Sequence, residues 1–83
     1  MNHARPSSGE VAQWIASHLD AWPQAADTAE GIRRWWLAPR HGEVPLAVVE
    51  EALAQLEGEG VVIRRETGSH VIFGRASGRP GRA

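Results

Sequence analysis

The chain has 83 residues and a formal net charge of −1, the size of one domain in which only about 60–65% of the unfolded surface can be buried. The absence of cysteine excludes a disulfide framework, a thiol nucleophile and a thiolate metal site, and no apolar run approaches the ~20 residues of a membrane helix. Charge is segregated, with nine acids against four arginines in residues 1–60 and five arginines against Glu66 in residues 61–83.

The opening MNHARPSSGE lacks the apolar segment of a signal peptide, and the chain reads as cytoplasmic. Residues 1–8 are polar and are expected to be disordered, the folded domain to span residues 9–75, and residues 76–83 to form a disordered basic tail. A first helix should begin near Ser7 or Ser8 as N-cap, with Glu10 favoured at the positive end of the helix dipole. At about 100° per residue Val11, Trp14, Ile15, His18, Leu19 and Trp22 share one face, and Pro23 ends the helix. Residues 24–26 could add one short strand-like pairing.

Asp27 or Thr28 caps a second helix, TAEGIRRWWLA, which Pro39 should stop because proline disfavours helical geometry in the residue before it. Its inward stripe is Ala29, Ile32, Trp36 and, at the edge, Trp35. Gly31 in mid-helix costs about 1 kcal/mol relative to alanine, which points to close packing there, against the first helix. PRHGEVP reads as a turn-rich loop, with Pro45 at the first position of a third helix. That helix buries Val49, Ala52, Leu53 and Leu56, carries Leu46 and Val48 at its margins, and ends at Gly60 in a left-handed cap. VVIRR then forms a strand, Thr67 and Gly68 a tight turn, and HVIFGR the returning strand, with Val61, Ile63, Val71 and Phe73 facing inward.

Three helices followed by a hairpin, and within them the run Val49-x-x-Ala52-Leu53-x-x-Leu56, Gly60 and an aliphatic and arginine strand, resemble the winged helix-turn-helix superfamily. The resemblance covers about residues 9–75 and implies an α+β, mostly helical fold: a three-helix winged helix-turn-helix with a C-terminal two-stranded β-hairpin wing. In its DNA-binding members the outward face of the third helix enters the major groove, and the wing and helix ends meet phosphates. Here that face carries Glu50, Glu51 and Glu57, and residues 42–60 contain five acids and no basic residue. Carboxylates oppose the phosphate contacts that supply most non-specific affinity. The isoelectric point of about 6.4 is also far from the value above ~9 typical of a clear nucleic-acid binder.

The sequence therefore reads as a small non-catalytic module that binds another protein or serves as a regulatory accessory domain, a monomer or weak dimer without cofactor or membrane contact. Adjacent helical residues lie about 100° apart, so Trp35 and Trp36 cannot both point into the core. Trp35 beside Arg33 and Arg34 forms a candidate contact corner, unless Trp35 covers the rim beneath an arginine. Protein-interaction candidates are Arg33, Arg34, Trp35, Glu50, Glu51 and Glu57. The alternative is a DNA-binding regulator, disfavoured by the acidic helix, that would use Arg64, Arg65, Arg75, Arg79 and Arg82 of the wing and tail. Trp14, Trp22 and Trp36 are expected in the core, with His18 touching Trp14 or Trp22. His3, His18, His41 and His70 show no i, i+4 pairing for a metal, and a phosphate-binding GxxxxGK[ST] loop is excluded without lysine.

Overall fold

The computed structural model describes residues 5–76, so the expectations for residues 1–4, for the tail from residue 77 on, and for His3, Arg79 and Arg82 lie outside the described residues. Helix α1 spans Ser8–Ala21 and is fixed at its start by a reciprocal capping box: the Glu10 N–H donates to Ser7 Oγ, and the Ser7 N–H donates to Glu10 Oε1, each at 3.1 Å. Ser7 and Ser8 thus belong to the folded domain, although they fall within the segment expected to be disordered.

Strand β1 is the pair Ala26–Asp27. Thr28 then caps the second helical run, its Oγ1 accepting the Gly31 N–H at 3.0 Å. This run, α2, consists of α-helical Ala29–Gly31, a π-helical stretch Ile32–Leu37 and a last α-helical turn Ala38–His41. Pro39 does not stop it. The Ala38 N–H reaches back to the Arg33 carbonyl, five residues earlier, and the widened turn leaves Pro39 in the first turn of the following α segment, where no N–H is required. The loop to the next helix shrinks accordingly to Gly42–Pro45. Helix α3 spans Leu46–Gly58, with Pro45 as its N-cap residue rather than its first helical position.

Beyond α3, Gly60 at φ +77° accepts the left-handed conformation that residues with a Cβ resist. Its N–H donates to the Glu57 carbonyl at 3.1 Å and the Val61 N–H to the Leu56 carbonyl at 2.9 Å, the paired bonds of a Schellman motif. Strand β2, Val62–Thr67, turns through Gly68 and Ser69 into β3, His70–Arg75. The sheet is antiparallel in the order β1-β3-β2, so the short β1 makes it three-stranded, not the two-stranded hairpin expected.

One apolar cluster joins these elements: Val11, Ala12, Ile15 and Leu19 of α1; Ile32, Trp36 and Leu37 of α2; Val44 of the loop; Val49, Ala52, Leu53 and Leu56 of α3; and Val62 of β2. The expected parity of β2 is corrected. Val62 is buried, and Ile63, expected inside, lies on the outer face with 38% exposure. The register explains this, because Arg64 pairs with Phe73 and Glu66 with Val71, so these residues share Val62's face.

Gly31 is buried, but its close neighbour is not α1. A Cβ at this position would collide with the Asp27 carboxylate, whose Oδ1 is held by the Thr28 N–H at 2.7 Å. The fold therefore predicts a context-dependent sign for one substitution. Gly31→Ala should destabilise the wild-type chain in urea titrations, yet in an Asp27→Ala background it should stabilise by about 1 kcal/mol, the helical preference of alanine over glycine.

Candidate functional site

The π-helical stretch decides what the RRWW segment presents. In a regular helix Leu37 would stand about 140° from Ile32, away from the core. The wider turn brings Ile32, Trp36 and Leu37 inward together and carries Trp35 further out. Trp36 is 8% exposed and Trp35 66%. The two arginines do not cover Trp35, because both converge on Glu30, one turn earlier. Arg33 grips that carboxylate with two bonds, Nη2 to Oε2 at 2.5 Å and Nε to Oε1 at 3.1 Å, and Arg34 approaches Oε2 at 3.4 Å. The hydrogen bond from Arg33 holds the Glu30 carboxyl below the ordinary carboxylate range, and the same bond raises Arg33. Glu30 was not among the residues singled out from sequence, although its i, i+3 and i, i+4 spacing to the arginines is the signal that identifies it.

On α3, Glu50, Glu51 and Glu57 are all exposed. Glu50, Ala54 and Glu57 flank a groove of about 340 Å³ between α3 and the inner side of the wing. Arg64 also borders it, with Nε 3.9 Å from Glu57 Oε2. Arg65 borders a different cleft, beside Pro23, Ala26 and Ile72 on the outer side of the sheet, and Arg75 at the end of β3 lines its edge. The described wing arginines are thus divided between two sides of the sheet.

Two interhelical stacks were not foreseen. The Trp14 and His41 rings lie 3.8 Å apart and nearly parallel, and His18 stacks on Trp36 at 4.3 Å. His18 therefore touches neither of its expected partners as a stack, and His41 sits on the last turn of α2 rather than in a loop. Each helix supplies one tryptophan and one histidine about a turn apart, a reciprocal spacing that could have revealed the pairing. Trp14 is half-buried, and Trp22, expected in the core, is 63% exposed. Trp22 is the C-cap residue of α1, at φ −131° and ψ 75°, and so has left the helical face. A cleft of about 190 Å³ opens among Trp14, His18, Trp22, Trp36, Arg40 and His41.

Comparison with known proteins gives no match: no family model, curated protein or solved structure aligns significantly with the chain.

Trp35 and Trp36, though adjacent, should respond oppositely to truncation. Trp36→Ala is expected to cost about 3–5 kcal/mol in denaturant titration, as for a core tryptophan, whereas Trp35→Ala should change stability by no more than about 0.5 kcal/mol.

Burial pushes the His18 imidazole below its ordinary value of 6.5, and the charge of Arg40 adds to the effect. The folded state therefore binds this proton less readily than the unfolded chain does. The stability carried by neutral His18 is complete above about pH 6.5 and is lost as pH falls through the lower folded value. Thermal melts at about pH 7.5 and 5.5 should show a smaller acid-induced fall in midpoint for His18→Phe than for the wild type.

Proposed function

We propose that this chain is a winged-helix module that binds a partner protein and catalyses no reaction. The three helices, the short strand between α1 and α2, the β1-β3-β2 order and the four-residue loop before α3 support the winged-helix reading. The observation that carries the functional reading is the exposed row of Glu50, Ala54 and Glu57 at the place where a DNA-reading member would meet the major groove.

A duplex carries one negative charge per about 1.7 Å of axis, so a helix offering carboxylates and no cation would approach it against repulsion. Arg64, which makes the salt bridge to α3 found among the described residues, already faces Glu57. Arg65 points away from Arg64 because successive strand residues alternate between faces. These placements weaken the reading in which wing arginines form a continuous phosphate-binding strip. The exposed Trp35, set beside arginines held by Glu30, supplies a second contact surface with the aromatic and arginine character of binding hot spots.

The immobilised wild-type chain, Glu50→Arg/Glu51→Arg and Trp35→Ala should be compared for retained proteins from cell extract. Loss of a specifically retained protein with at least one variant is expected. Retention unchanged by both would overturn this surface assignment.

A further inference from the structure

The outward side of α3 is not a flat acidic surface. The groove it forms with the wing has an apolar floor, Ala54 with the half-buried Val71 and Phe73, and an acidic rim, Glu50 and Glu57. Glu57 follows Glu50 by seven positions, so their Cα atoms stand roughly 10 Å apart along the helix axis. We propose that this groove receives a segment of a partner protein that carries an apolar side chain next to an arginine or lysine. This assignment rests on the protein-binding reading and specifies the partner's chemistry.

Arg64 is the internal guide to that chemistry. It pairs across the strands with Phe73, so its side chain and the phenyl ring share the groove face. Its guanidinium lies 3.9 Å from Glu57, the outer limit of an ion pair, and both side chains remain about half exposed, at 48% and 46%. An exposed pair of this kind contributes little and exchanges readily with solvent or another cation. The fold therefore already places a guanidinium above a carboxylate beside an aromatic ring. A partner cation takes that position as Arg64 swings out, and Glu50, which makes no salt bridge among the described residues, adds to its attraction from the same rim. An apolar side chain entering between the two glutamates would cover Val71 and Phe73, and displacement of water from such surface favours association. An acidic segment or a nucleic-acid backbone meets repulsion from both rims.

This arrangement makes Arg64 a competitor of the partner, whereas a DNA-binding wing would make it a contributor. The probe is a labelled nonapeptide alternating leucine and arginine, with the leucine–glutamate peptide as control, titrated against the full chain by fluorescence polarisation. Binding sites are located from amide shifts in nitrogen-15 spectra. The arginine peptide should bind at least about tenfold more tightly than the control, with shifts concentrated at Ala54, Val71 and Phe73. Arg64→Ala should tighten binding by about twofold to fivefold, the range of an exposed ion pair, and Glu50→Gln should weaken it. Ala54→Arg, on the exposed helix face, should abolish binding while the melting curve stays close to wild type.

Arg64→Ala that weakens binding or leaves it unchanged overturns the groove assignment. So does peptide binding with shifts centred on Trp35 or Trp22, although the broader protein-binding reading would then stand. Duplex DNA binding that is lost in Arg64→Ala, with no peptide bound, overturns both.

Discussion

The widened turn at Ile32–Leu37 is the constraint on which the rest of the arrangement depends. The core takes Ile32, Trp36 and Leu37 from α2, and a regular helix would spread these three over about 140° of its circumference. Unwinding by one hydrogen-bond step solves that problem and has two further consequences. Trp35 is turned to solvent next to arginines that Glu30 holds, and Pro39 falls where a missing N–H is harmless, so the helix continues to His41. That last turn brings the His41 ring onto Trp14 and leaves His18 to stack on Trp36, closing α1 against α2 through two aromatic contacts. Packing and surface display are therefore set by the same local departure from α-helical geometry.

Helix α3 divides along its length into two independent surfaces. Val49, Ala52, Leu53 and Leu56 meet the core, and the choice among them is dictated by volume and burial. Glu50, Ala54 and Glu57 have no part in that packing, so their chemistry is free to serve recognition. Small alanine between two carboxylates keeps the groove open to Val71 and Phe73, which the hairpin presents from the other side. The packing of α3 thus leaves the chemistry of its outward face undetermined by the fold, and in the proposed reading that face selects the partner.

The features legible in the sequence were those set by regular periodicity or by a single local motif. The α3 stripe, the Gly60 cap, a serine N-cap at Ser7 or Ser8 and the rule that Trp35 and Trp36 cannot both be buried follow from spacing over a few residues, whereas the π turn decides that Trp35 is the exposed one. What escaped it depended on geometry that spacing rules assume away. The π turn cancelled the stop expected at Pro39, and a two-residue β1 offers too little pattern to commit a strand. The face of β2 depended on the cross-strand register, which placed Val62 inside and Ile63 outside. Trp22 left the core because it follows the last helical residue. The groove itself unites Ala29 of α2 with residues of α3, β2 and β3, a juxtaposition that only tertiary packing creates.

Titration of a labelled mixed-sequence duplex at low salt, about 50 mM, tests the central claim most directly, because phosphate-driven affinity is strongest there. The acidic outward face of α3 predicts no saturable binding, with no increase as salt is lowered further. Saturable binding that falls steeply as salt is raised, and that is lost when Arg64 and Arg65 are replaced by alanine, would contradict it.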